Sequence, residues 1–251
     1  MEKYTIVIPY ISSGAQGNEL ELAITGWRKH FKEEYQIIVV GDYHPIVDTG
    51  DDITLLKCDR IPETNDGNYR PIMDVMNKLQ LFRNTYSSIK GFILAYDDIY
   101  AVNDFDINDI KFLKVLEPDI VFTETSSNGW RRAKAKTKKI LLKEGYPTRN
   151  FSIHLPRWYE WDKLEELWNK YDMFHHDYVT EDLYFNIYYK DRVPFMLNKE
   201  TDNIKFGIYN SGVSKYQIQN AFKTKIWINN SVVGWNQDLE KLLKEHYNGI
   251  H

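Results

Sequence analysis

Two adjacent carboxylates, Asp97 and Asp98, close an apolar run, Phe92-Ile93-Leu94-Ala95-Tyr96, and are followed by Ile99-Tyr100. Such a run reads as a buried strand. Carboxylates at its carboxyl end either form a solvated turn or face the ligand crevice of an α/β sheet. Burying them is costly unless they are paired or hold a cation. Their hard oxygens suit Mg²⁺ or Mn²⁺, ions that commonly bridge protein to phosphate. The pattern points to chemistry on a nucleotide diphosphate.

Other residues fit around this pair. Pro9 and Tyr10 end a first apolar run, Tyr4 to Tyr10, and the small-residue loop Ser12 to Gly17 follows, able to bring backbone close to a nucleotide. Asp42, after Gly41 at the end of a second run, is either a turn residue or an acceptor for a ribose or uracil-type ring. Arg70, Asp74 and Lys78 recur every four residues and share a helix face. They form a solvated charge ladder, or Arg70 and Lys78 approach the diphosphate and neutralise its leaving charge. His154 is a candidate second metal ligand or acceptor-side base, against the alternative of a structural histidine. His175-His176-Asp177 is a competing metal-capable cluster. Glu181 and Asp182 open a helix, where acidity is ordinary, but a carboxylate there could also deprotonate an acceptor hydroxyl. Trp158, Trp161, Trp227 and Trp235 can stack on sugars or bases, Trp235 having the most loop-like context.

The elements that position these residues alternate. Strands are expected over Tyr4 to Tyr10, Gln36 to Val40, Ile53 to Cys58 and from Phe92, with helices from Asn18 to Phe31 and Ile72 to Tyr86 between them. Leu20, Ile24, Trp27 and Phe31 share one helix face, as do Met73, Met76, Leu79 and Phe82 on the other. A loop spans Pro62 to Gly67. The alternation predicts a mainly parallel central sheet flanked by helices. Farther on, Asp119 to Thr123 reads as a strand, and helices are expected over Lys138 to Gly145, Trp161 to Tyr171, Glu181 to Tyr189 and Asp238 to His246. Residues beyond about Lys190 suggest at most a cover for the ligand or a subunit contact.

With 251 residues and no linker or repeat, a single domain is expected over 1–251. Its nucleotide-binding half is 1–125, and 126–251 is the acceptor half with a carboxyl-terminal helix. The single Cys58 excludes an internal disulfide and fits a reducing compartment. No apolar run is long enough to span a bilayer, so the expectation is a cytoplasmic protein without integral membrane association. A net charge of −4 opposes broad nucleic-acid binding. The run Arg131 to Lys139, with Lys143 beyond, is the exception: either a solvated helix face or a contact for a phosphate-bearing partner.

Several of these segments resemble a family. Asn18-Glu19-Leu20, Ile37-Ile38-Val39-Val40-Gly41-Asp42 and Tyr96-Asp97-Asp98-Ile99-Tyr100 look like glycosyltransferases of the GT-A fold. His154-Leu155-Pro156 followed by Trp161 to Trp168 is similar to a block of the Stealth-type capsular polysaccharide transferases. The likeness spans roughly residues 4 to 190. Tyr96 stands where the Stealth motif has Asn, and the first Stealth block is missing, so plain glycosyl transfer is favoured over sugar-phosphate transfer. The resemblance implies a Rossmann-like GT-A domain and a nucleotide-sugar donor, UDP-linked, with Asp98 and Asp97 holding Mn²⁺ or Mg²⁺ on the diphosphate. Asp42 would read the nucleoside, Lys78 or Arg70 would assist, and Glu181, Asp182 or His154 would serve the acceptor. That acceptor is a surface glycan or, as for some phage enzymes, a modified DNA base. A sugar-phosphate transferase or nucleotidyltransferase and a non-catalytic binding module are the alternatives.

Overall fold

Apolar runs that alternate with amphipathic helices must stack as strands with helices on both faces. The computed structural model, which describes residues 3–62, 68–198 and 201–249, has that layout. Its strands are β1 (Tyr4–Tyr10), β2 (Tyr35–Gly41), β3 (Ile53–Lys57), β4 (Gly91–Leu94) and β5 (Ile99–Ala101), then β6 (Lys114–Val115), β7 (Arg157–Glu160), β8 (Phe195–Met196), β9 (Lys205–Ile208) and β10 (Trp227–Asn230). The helices are α1 (Glu19–His30), α2 (Arg70–Thr85), α3 (Ile107–Lys111) and α4 (Gly129–Lys143), then α5 (Trp161–Tyr171), α6 (Thr180–Tyr188), α7 (Lys215–Thr224) and α8 (Gln237–Tyr247). Residues 63–67 of the loop expected at Pro62 to Gly67 lie outside the described residues.

The central sheet has the order β3-β2-β1-β4-β7, parallel except for β7. β1 is buried on both faces, and its alternate residues feed two cores. Ile6 and Ile8 pack with Leu20, Ile24 and Trp27 of α1 and with Phe31 at its end, whereas Val7 packs with Met76, Leu79 and Phe82 of α2 and Trp161 of α5. Both helix faces read from the sequence are thus core faces.

The chain runs from β1 to β2 to β3 in one direction, then returns to the other side of β1 for β4. That reversal leaves a crevice between the carboxyl ends of β1 and β4, where ligands bind in open α/β sheets. Gly41 closes β2 at φ +145°, and a Cβ there would collide with the Tyr10 carbonyl. Glycine is needed at this end of the sheet.

The second half departs from expectation in two places. Asp119 to Thr123 is not a strand. Ile120 N–H donates to Thr148 O (2.8 Å) and Asp119 accepts from Lys138 Nζ (2.6 Å), so its polar groups bond to α4 and the 146–150 loop. The helix expected from Lys138 starts at Gly129, where the Asn128 side chain caps Arg131 N–H (3.1 Å), so the whole basic run is helical. Beyond Lys190, α8 is the expected carboxyl-terminal helix, and the described residues add strands that form a sheet with β5. β10 lies between β5 and β9, with Ile228 opposite Tyr100 and Asn229 opposite Ile99, and α7 and α8 pack on that sheet.

Candidate active site

β4 ends at Leu94, and the turn before β5 carries Tyr96, Asp97 and Asp98 into the crevice. A cavity of about 220 Å³ opens there, lined by Pro9 and Ile11 at the end of β1, by Asp97 and Asp98 after β4, and by Glu19 and Asn230. The last two come from opposite ends of the chain. Asn230 Nδ2 donates to Glu19 Oε1 (2.7 Å), and its Oδ1 accepts from Tyr100 OH (2.7 Å). Glu19 Oε2 also accepts from Gln16 N–H (2.6 Å), fixing the small-residue loop.

Three carboxylates share this space, and their electrostatics reflect it. Burial, then the charges of Asp98 and Glu19, push Asp97 up to about 8. Burial also raises Glu19, against its bonds from Asn230 and Gln16. Tyr10 is raised by burial and by the Asp97, Asp42 and Glu19 charges. His154 faces Asp98. Its Nε2 lies 2.8 and 2.9 Å from the two oxygens of Asp98, and its ring stacks on Tyr96 at 5.1 Å. Burial alone would lower this histidine, but the Asp98 carboxylate outweighs it and the net shift is upward. His154 has φ +52°, an uncommon conformation for a residue with a side chain, and it sits where antiparallel β7 brings the chain to the end of β4.

Asp42 stands at the end of β2, and its Oδ2 accepts from Ser12 N–H (2.8 Å) and Ser12 Oγ (2.7 Å). The Ser12 hydroxyl chiefly holds this carboxyl below the usual range. Lys78 is fully buried and ion-paired with Asp74, whose Oδ1 accepts from Ile61 N–H (2.9 Å). The solvated-ladder alternative is therefore corrected: Asp74 and Lys78 form a buried pair beneath β2. Arg70 opens α2, with Nη1 3.7 Å from Met73 Sδ.

Glu181 and Asp182 part ways. Asp182 is fully buried; its Oδ1 accepts from Phe151 N–H (2.7 Å) and Ser152 N–H (3.2 Å), and Oδ2 lies 3.2 Å from Lys134 Nζ. Its bonds knit α4, α6 and the 150–152 segment together. Glu181 instead lines a second cavity of about 320 Å³ together with Tyr96 and His154. Burial raises its carboxyl, opposed by Arg157. His154 thus stands between the acidic cavity and the Glu181 cavity.

The basic run is not a free surface. Lys134 pairs with Asp182, Lys136 with Asp177 (2.7 Å), Lys138 with Asp119 (2.6 Å) and Lys139 with Glu124 (3.2 Å). Four of its lysines are thus committed to acids and Arg132 Nη1 donates to the Ser126 and Ser127 carbonyls, while Arg131 and Lys143 are exposed. The His175-His176-Asp177 cluster is dispersed: Asp177 is buried against Lys136 and Tyr69 N–H (2.8 Å), whereas His175 is exposed beside Asp172. Trp161 and Trp227 are core residues, and Trp235 packs against Gly17.

Among the described residues, no three His, Cys, Asp or Glu side chains form a ready metal-ligand set. Two carboxylates with excess negative charge are nevertheless what Mg²⁺-type sites use, the remaining ligands being water and substrate phosphate. Asp97 and Asp98 fit such an ion on that ground. Glu19 and Asn230 were not legible as site residues, because only folding brings them together.

No family model and no curated protein matches this sequence. Solved structures do. The apo structure of WbbM, a bifunctional glycosyltransferase, matches 98% of this chain at 12% identity with a TM-score of 0.52. The chain shares its fold with WbbM. It spans about half of WbbM's length, 51%. LgtC, a galactosyltransferase solved with donor and acceptor sugar analogues, matches 98% of this chain and 95% of its own at 10% identity and a TM-score of 0.48. GlyE from Streptococcus pneumoniae matches 98% of this chain and 60% of its own at 13% identity and a TM-score of 0.40. The GT-A-like α/β architecture expected from the sequence is the one present, whereas nothing in these matches singles out the Stealth-type or phage DNA-modifying relatives.

Proposed function

We propose that this protein is a glycosyltransferase that takes a sugar from a nucleotide diphosphate donor, UDP-linked, to a hydroxyl acceptor. The observation that carries this reading is the pairing of cavities: carboxylates at the β1/β4 crevice, and one separate carboxylate, Glu181, across His154. The WbbM-like fold supports it. The donor half is 1–125 and the acceptor half 126–251, with His154 and Asn230 reaching from the second into the first.

In this reading the nucleoside lies over the carboxyl ends of β1 and β2, beside Pro9 and Tyr10. Asp42 is held by Ser12 through Oδ2, leaving Oδ1 to accept from a ring N–H or ribose hydroxyl. Asp97 and Asp98 would hold Mn²⁺ or Mg²⁺, which when bound neutralises charge on the leaving diphosphate. His154 orients Asp98 through its two short contacts. Arg70, at the start of α2, would assist at the diphosphate, whereas Lys78 is ion-paired with Asp74. Glu181 takes the acceptor proton; a carboxyl raised by burial is a stronger base once ionised. Asp182 positions Glu181 by anchoring α6.

Calorimetric titration with UDP, GDP and a panel of nucleotide sugars, with and without Mn²⁺, tests this. Metal-dependent binding of one diphosphate, lost in Asp98→Ala, is expected. Folded protein that binds none of them would overturn the reading and leave a non-catalytic binding module. Release of nucleoside monophosphate or pyrophosphate during turnover would identify a sugar-phosphate transferase or nucleotidyltransferase instead.

A further inference from the structure

The 320 Å³ cavity is built unlike a sugar site. Its polar residues stand together: Tyr96 stacks on His154, and the Glu181 charge acts on both. The remaining lining is mostly aliphatic, Ile72, Val75, Leu79 and Val179 among it, with the rings of Tyr69, Trp130 and Tyr159 and one further hydroxyl, Thr180. Tyr69 and Trp130 meet edge to face at 6.1 Å, a wall suited to a flat ring. A free sugar carries hydroxyls around its whole rim, more than the few polar groups of this wall could pair. A molecule with one hydroxyl and an apolar body would leave none unpaired.

Glu181 supplies the second observation. It is only 7% exposed, and no hydrogen bond or ion pair from a described residue reaches its carboxylate. Its chain neighbour Asp182, on the same turn, has two backbone donors and Lys134. A buried carboxylate that lines a cavity and takes no donor from the described residues is open to a ligand.

We infer that the acceptor is a small alcohol or phenol with an apolar, ring-bearing body, seated in this cavity with its hydroxyl at Glu181. The inference rests on the glycosyltransferase reading above. In the step, the acceptor oxygen bonds to the anomeric carbon of the donor as its proton passes to Glu181. The bond from that carbon to the diphosphate oxygen breaks, and the diphosphate leaves with the electron pair.

The test is calorimetric titration of the full chain with 2-naphthol, with glucose as polar control and UDP or GDP plus Mn²⁺ titrated separately. Saturable naphthol binding is expected, with none for glucose. Val75→Trp, which fills the cavity from a half-buried position, and Glu181→Gln should each weaken it at least tenfold, with melting curves confirming folded protein. Nucleotide binding without naphthol binding would overturn the acceptor class and leave the donor reading standing. Naphthol binding that both variants retain would overturn the location. Naphthol binding without any nucleotide would uphold the cavity and sink the donor reading, and a folded protein that binds neither would sink both.

Discussion

At the scale of single residues, the acidic crevice trades stability for binding. Asp97 is raised from an ordinary 3.8 to about 8, so its favourable contribution to folding is complete below the lower value and is lost as pH rises to the upper one. Asp97→Asn should therefore melt above the parent, by an advantage that grows between pH 5 and pH 8. Each kcal/mol relieved corresponds to roughly 2–4 °C in a chain of this size. The same variant should lose metal-dependent nucleotide binding. Thermal melts at the two pH values check the first half, and a gap that narrows with pH would refute it. Lys114 shows the reverse sign. Burial chiefly lowers it from 10.5 to about 7, so the folded state pays for its charge below that range and is relieved as pH rises through it. Lys114→Met should accordingly exceed the parent in stability at pH 7, with the difference shrinking toward pH 10 in paired denaturant titrations.

At the scale of elements, α4 carries the clearest lesson. Its lysines read alike along the chain but sit in different surroundings. Lys134 is buried against Asp182 and Asn150, whereas Lys139 is largely exposed. Lys134→Ala strands the Asp182 carboxylate and should cost about 3–5 kcal/mol, against at most about 0.5 for Lys139→Ala. Urea unfolding of the two variants measures the contrast, and equal losses would contradict the buried pair. At the end of β2, Gly41→Ala must either shift the Tyr10 carbonyl or give up its backbone conformation. A loss upward of about 2 kcal/mol is expected, read as a lowered melting temperature.

At the scale of the whole molecule, the site is assembled from both ends of the chain. Glu19 opens α1 and Asn230 ends β10, yet they are bonded at the mouth of the acidic cavity. The three-stranded sheet β5-β10-β9 exists to the side of the central sheet and starts directly after Asp98. It thus couples the carboxyl-terminal region to the turn that carries the carboxylates. Asn230→Ala would leave Glu19 Oε1 and Tyr100 OH without those partners, at about 1–3 kcal/mol for each group. The measured effect should appear as lowered stability together with weakened nucleotide binding. Stability unchanged in Asn230→Ala would mean that this junction is not a structural tie.

The sequence by itself determined the central layers and the position of the acidic turn. Apolar runs at β1, β2 and β4 and the helix faces of α1 and α2 are local patterns, because strand and helix periods are written in neighbouring residues. Asp97 and Asp98 were legible for the same reason: a strand's carboxyl end is marked by where its apolar run stops. Tertiary structure alone decided what the charges do. Lys78 and Lys134 look like surface cations until their partners Asp74 and Asp182 are seen buried with them. Glu181 and Asp182 are indistinguishable as a dipeptide, and only packing points one into a cavity and the other into backbone donors. The switch between β1 and β4, the left-handed His154 beside Asp98 and the Glu19–Asn230 contact depend on strand order and pairing across long stretches of chain. No local period encodes such pairings, because they are set by which apolar faces can be buried together once the whole chain has folded.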